Sequence, residues 1–146
     1  MTAIATIITK HCIAFASDSM ITRKSSLNNL ECLEWEKTKI VTYAHHRAAA
    51  AYWGLAQCNN WDTQDWLSSK ISVAKSFANL EDFAIHLCDS LKAELSKLRF
   101  DNPIDSGIGI HLAGYERLDD LWIPELFLIS NYSDPSYRYL KPLLVS

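Results

Sequence analysis

Up to about position 60 the apolar residues alternate with polar ones or fall in short β-branched runs; beyond it they recur at three- and four-residue steps. The first regime predicts strands. Thr2 to Thr9, with Ile4, Thr6, Ile7 and Ile8, reads as one strand, and Cys12 to Ser17 as a second, joined tightly through Lys10-His11. A short third piece, Met20 to Thr22, follows Asp18. Ser25 to Glu36 is polar and is expected to be irregular. Lys39 to Tyr43 and Ala48 to Trp53 form a further hairpin turning at His45-His46, adjacent residues that point to opposite faces of a strand and cannot share a ligand.

The second regime predicts helices. Asp62-Thr63-Gln64-Asp65 has the form of a helix start, with a cap and an acid in the first turn, and the helix is expected to run to about Ile71. Asn79 caps a longer helix, on which Leu80, Phe83, Ala84, Leu87, Leu91, Leu95 and Leu98 make one apolar stripe. Asn102-Pro103 is a stop signal. Ile108 to Ala113 and Pro124 to Ser130 then read as strands around a turn at Arg117 to Leu121. Hairpins set apart from a helix pair argue for an α+β fold, antiparallel sheet with a helix layer, in a single domain over residues 1–146.

Composition narrows the function. Apolar residues are 49% and charged residues 21%, a globular balance that excludes a disordered chain. Lys plus Arg is 14 against 17 for Asp plus Glu, a net charge of −3 without a basic run, which argues against nucleic-acid binding. No stretch is long and apolar enough to span a membrane. Met1-Thr2-Ala3 has no basic residue and Lys10-His11 interrupts the apolar stretch, so export is not expected and the setting is read as cytoplasmic. Asn131-Tyr132-Ser133 fits a glycosylation pattern that has meaning only with export. Cys12, Cys32, Cys58 and Cys88 lack zinc spacing and are expected to be reduced, mostly buried thiols; no metal site is expected.

Four local features carry chemistry. Thr2 becomes the terminal residue if Met1 is removed. Phe15-Ala16-Ser17-Asp18-Ser19-Met20-Ile21-Thr22 closes the first hairpin. Lys39 opens the second, and Tyr52-Trp53-Gly54-Leu55 closes it. In order and spacing these resemble the proteasome β-type subunits, which are N-terminal nucleophile hydrolases. That family has a terminal Thr on an apolar strand, an Ala-Ala-Asp-Ser-Arg-Ala-Thr type motif, a Lys before an apolar residue, and a strand ending in Gly. Asp18 lies 16 residues after Thr2 and Gly54 lies 15 after Lys39, both within one residue of the family's spacing. The interval from Thr22 to Lys39 is longer and falls in the irregular segment, where insertion is tolerated. Leu112 to Glu116 and Pro124 to Ile129 resemble the family's later hairpin, so the likeness covers residues 2 to about 131.

The resemblance implies a proteasome-type sandwich of antiparallel sheets with a helix layer, and a threonine peptidase without metal or organic cofactor. Thr2 would be nucleophile and, through its own α-amine, base. Lys39 would depress the pKa of that amine, Asp18 would orient Lys39, and the Gly54 N–H would donate to the oxyanion. Thr22 would pair with an extended peptide, and Ile21, Tyr52 and Ala56 would line the pocket for the side chain before the cut. The implied partners are peptide or unfolded-protein substrates, further copies of the chain in a homo-oligomer or ring, and a feeding ATPase. The sequence departs from the pattern in three places. Trp53 stands where a small residue is preferred and is expected to crowd the oxyanion glycine. Ala3 replaces a frequent second Thr. Past Asn131 the family's remaining helices and strands, with a Ser and an Asp-Ser pair that support the nucleophile, have no counterpart, so the fold is expected to be incomplete at its C-terminus. The alternative is a non-catalytic, truncated subunit acting in assembly or binding.

Overall fold

A computed structural model describes residues 4–18, 21–24, 30–34, 40–43, 47–58, 60–98, 107–131 and 138–140. It opens with strands β1 (Ile4–Ile8) and β2 (Ile13–Ser17), an antiparallel hairpin in which Ile4 pairs with Ser17 and Ile8 with Ile13. The connection is wider than Lys10-His11 alone. The Thr9 hydroxyl accepts from the N–H groups of His11 and Cys12 at 3.1 and 2.9 Å, and the Thr9 N–H donates to the Cys12 carbonyl at 2.9 Å. Strands β3 (Ile21–Lys24) and β4 (Leu30–Glu34) form a second antiparallel pair, so the segment expected to be irregular contains a strand.

The principal sheet has five antiparallel strands in the order β11-β10-β9-β6-β5: β5 (Ile40–Tyr43), β6 (Ala48–Gly54), β9 (Ile108–Leu118), β10 (Leu121–Ser130) and β11 (Arg138–Leu140). The turn expected at His45-His46 lies outside the described residues, although Tyr43 and Ala48 pair across it. Strands β9 and β10 are longer than the sequence predicts, and they meet at a two-residue turn, Asp119-Asp120. Asp119 takes a left-handed backbone there (φ 54°), a conformation that aspartate tolerates better than most residues. Between β6 and the helices, a small pair, β7 (Gln57–Cys58) with β8 (Trp61–Asp62), reverses the chain.

Helix α1 (Thr63–Ser72) starts where expected. The Asp62 carboxylate accepts from the Asp65 N–H at 3.0 Å. A 3-10 turn at Ala74–Ser76 leads to α2 (Leu80–Leu95), where Asn79 Oδ1 accepts from the Asp82 N–H at 2.7 Å. Glu116 of β9 accepts from the Leu80 N–H, satisfying a second exposed donor of the same helix end.

Alternation divides the principal sheet into two faces. Ala48, Ala50 and Tyr52 of β6, Ile108, Ile110 and Leu112 of β9, and Phe127 and Ile129 of β10 point to the helix side. They form one core with the α2 stripe, in which Leu80, Phe83, Ala84, Leu87 and Leu91 are fully buried. Burying each Leu or Phe contributes about 1.5–3 kcal/mol, so α2 is held by packing more than by propensity. The opposite face of the sheet receives the β1–β2 hairpin. Three layers result: helices, five-stranded sheet, and a two-stranded hairpin.

Candidate functional site at one end of the layered fold

Two contacts dock the hairpin onto β9. The Thr6 hydroxyl and His111 Nδ1 are hydrogen-bonded at 2.7 Å, and the Tyr115 hydroxyl donates to the Thr9 carbonyl at 2.9 Å. Three residues along β1 thus match four along β9, so the two strands run in the same direction and the Ile4 end of β1 lies toward the Ile108 end of β9. Ile108 pairs with Gly54, the last residue of β6, and Ile4 pairs with Ser17, the residue before Asp18. The beginning of β1, the end of β2 and the end of β6 therefore lie toward the same end of the principal sheet.

Of the residues singled out in the sequence, Asp18 and Gly54 are described at this end. Asp18 is half-buried just past β2 and is engaged by a neighbour. Gly54 is exposed and has a positive φ of 85°, which a side chain would strain. There the chain leaves the sheet, and the Leu55 N–H donates to the Gly107 carbonyl at 2.8 Å. Thr2 and Lys39 lie outside the described residues. Ile21 and Thr22 sit on β3, with a bulge between them and Thr22 paired with Cys32. Tyr52 and Ala56, expected to line a pocket, are buried in the structure. Both belong to the helix-side core, and Tyr52 has no exposed surface at all. The physical reason is alternation: Tyr52 follows Ala48 and Ala50 on the helix face of β6.

Trp53, on the opposite face, turns its indole across the sheet rather than over Gly54. It lies against Gly109, where an added Cβ would come within 2.0 Å of the ring, and meets the His111 imidazole edge-on with centroids 4.9 Å apart. The aromatic expected to crowd Gly54 thus lies over Gly109, its partner on β9. His111 is not among the residues the sequence singles out, since a lone histidine in an apolar strand gives no local signal. Burial pushes its pKa below the usual imidazole value, because the charged form would lose its water.

The loop after Gly54 is fastened to α1 by a buried relay. Trp61 Nε1 donates to the Thr63 hydroxyl at 2.8 Å, and that hydroxyl donates to the Leu55 carbonyl at 2.6 Å. The Thr63 N–H also donates to the Ala56 carbonyl at 2.9 Å. On the other side, Asn131 Oδ1 accepts from the Ile108 N–H at 2.8 Å, so this amide of the glycosylation-like triplet is engaged in closing the strand end. Cys88 is buried, Cys58 half-buried and Cys12 exposed, so two of these three thiols depart from the expected burial. Burial, reinforced by Asp89, pushes the Cys88 thiol up.

No family model, curated protein or solved structure matches the chain. Among the described residues no group of three or more His, Cys, Asp and Glu side chains could hold a metal ion. No described helix is long and apolar enough to cross a membrane.

Proposed function

We propose that the chain is an N-terminal nucleophile hydrolase that cleaves peptide bonds through Thr2 once Met1 is removed. One observation supports the reading above the others: the start of β1, Asp18 after β2 and Gly54 after β6 share one end of the fold. The hydrolase chemistry needs those three strand ends together. In the proposed reaction the Thr2 α-amine takes the proton of its own hydroxyl; such amines ordinarily titrate at about 7.7–8.0, close to neutral pH. The Lys39 ammonium keeps that amine unprotonated, Asp18 orients Lys39, and the Gly54 N–H donates to the oxyanion of the tetrahedral intermediate. The substrate is an extended peptide or unfolded chain lying along Ile21 and Thr22. The finer fold assignment, a proteasome-type sandwich in a cytoplasmic homo-oligomer served by an ATPase, belongs to the same proposal.

A second reading, a non-catalytic assembly subunit, is favoured by the outer face of the hairpin. Ala5, Ile7, Ala14 and Ala16 all face outward, and Ile7 is 62% exposed. An apolar face of that kind marks an association surface. Intact mass before and after treatment with a β-lactone electrophile separates the two. Loss of Met1 followed by one adduct, absent in Thr2→Ala, is the hydrolase result. Met1 retained and no adduct sinks the catalytic reading and leaves the assembly role.

A further inference from the structure

We infer that His111 is a positioning residue that, through Thr6, holds β1 at the depth and register the proposed site requires and releases it when protonated. The hairpin pairs only within itself in the described ladder, so side chains fix it on the sheet. Its described polar anchors are the Thr6–His111 hydrogen bond at 2.7 Å and the Tyr115 bond to the Thr9 carbonyl. The first lies in the middle of β1, two residues from Ile4 and the strand end that feeds the site. The imidazole also meets the Trp53 indole in a T-shaped contact, and Gly109 admits that indole by lacking a side chain. His111 is thus fixed by two contacts, and β1 takes its position from it.

The surroundings make the contact sensitive to protons. On the hairpin side of the sheet the residues that pair with His111 are Ala51 and Leu128. The β5 positions in register with this face, Ile40 and Thr42, carry no titratable group. Among the described residues the titratable or charged groups toward this layer are Tyr115, four residues along β9, Arg47, stacked on Trp122 of β10, Arg138 of β11, in register with Ser130, and Asp18 beyond the end of β2. Lys10, His11 and Cys12 lie in the exposed hairpin turn, and Arg117 is at the exposed end of β9. None is hydrogen-bonded to the ring in the way a carboxylate partner would be. An imidazolium here exchanges water for apolar neighbours and one hydroxyl, while undocking returns it to water. The sign follows from linkage. The undocked state binds the proton more tightly, so docking is complete above pH 6.5 and is lost as pH falls below it toward the depressed value of the docked form. The docking equilibrium constant falls up to about tenfold for each unit that separates the two values.

The inference rests on the hydrolase reading only for what β1 carries. It is tested on the whole chain by NMR: the His111 ring is titrated from pH 7.5 to 5, and amide exchange of residues 4–17, corrected for intrinsic rates, is followed in parallel. The expected result is a His111 midpoint below 6.5 with hairpin protection falling together with it. His111→Gln, which can still bond Thr6 but does not titrate, should keep protection flat over that range. Thr6→Val should lower protection at every pH and serves if His111→Gln does not fold. A His111 midpoint at or above 6.5, or a wild-type hairpin whose protection ignores pH, overturns the proposal. So does a pH dependence that survives in His111→Gln. The β-lactone adduct rate, taken as the ratio of wild type to His111→Gln at each pH, cancels the titration of the Thr2 amine. A ratio that falls with acid supports the latch, and a constant ratio with adduct formed defeats the latch but not the hydrolase. Protection that titrates as expected with no adduct at any pH defeats the hydrolase but not the latch.

Discussion

Gly109→Ala tests the packing of Trp53 on the principal sheet most directly. A Cβ at position 109 would lie 2.0, 2.2 and 2.4 Å from three atoms of the Trp53 ring. Ordinary contact between carbon atoms is about 3.5–4.0 Å, so the indole has to retreat by more than an ångström. It is a rigid bicycle already seated against His111, not the free end of a flexible chain. Overpacking costs about 1–3 kcal/mol, and this site belongs toward the upper end, about 2–3 kcal/mol. With an unfolding entropy of about 2.1 cal/mol/K per residue over 146 residues, that is a fall in Tm of about 7–10 °C. Trp53→Ala alone removes a half-buried ring and should cost about 2–3 kcal/mol, below the range for a fully buried aromatic. In the Trp53→Ala background the added methyl meets no ring and Gly109→Ala should be neutral or slightly stabilising, since alanine has less backbone entropy to lose. Urea unfolding of the four proteins closes a double-mutant cycle with a coupling of about 2–3 kcal/mol. Equal costs of Gly109→Ala in the two backgrounds would show that the ring does not cover Gly109 and would refute this account of Trp53.

Other expectations follow from single contacts. Thr63→Val strands the Trp61 indole N–H and the Leu55 carbonyl in the interior and should cost about 2 kcal/mol in urea unfolding, while Thr63→Ser should cost much less. Asn79→Ala removes the cap on α2 and should cost about 1 kcal/mol, with Asn79→Asp close to wild type in thermal unfolding. Native-state maleimide labelling followed by peptide mapping should modify Cys12 before Cys58 and Cys58 before Cys88, because the Cys88 thiol is both buried and held protonated. Labelling of Cys88 as fast as Cys12 would contradict the buried stripe of α2.

How far the sequence reveals this fold depends on whether a feature is local. The helices are legible because their signals are written in consecutive residues: Asp62 and Asn79 cap where expected, and the stripe from Leu80 to Leu95 is buried. Strand β10 reads short in the sequence because Pro124 looks like a strand start. Pro124 is tolerated inside the strand because β11 pairs only with Leu128 to Ser130, leaving that part of β10 with β9 as its single neighbour in the described sheet. Strand β4 escapes the pattern because its two glutamates break the apolar alternation that marks a strand. Asp18 and Gly54 are legible as a spacing, and in the fold they follow β2 and β6. The burial of Tyr52 is hidden until α2 fixes the faces of β6, and His111 and Glu116 act on partners far away in the chain. No window of sequence contains both halves of such a contact.

The docking of the first hairpin has a consequence for synthesis. Thr6 and His111 are 105 residues apart, and Thr9 and Tyr115 are 106. At a translation rate of about 5–20 residues per second, the hairpin is made roughly 5–20 s before β9 exists to receive it. Hairpins close in microseconds, yet a two-stranded hairpin alone is marginal in water. For that interval both of its apolar faces are open, and the ribosome-bound chain presents the aggregation hazard that a binding chaperone would cover.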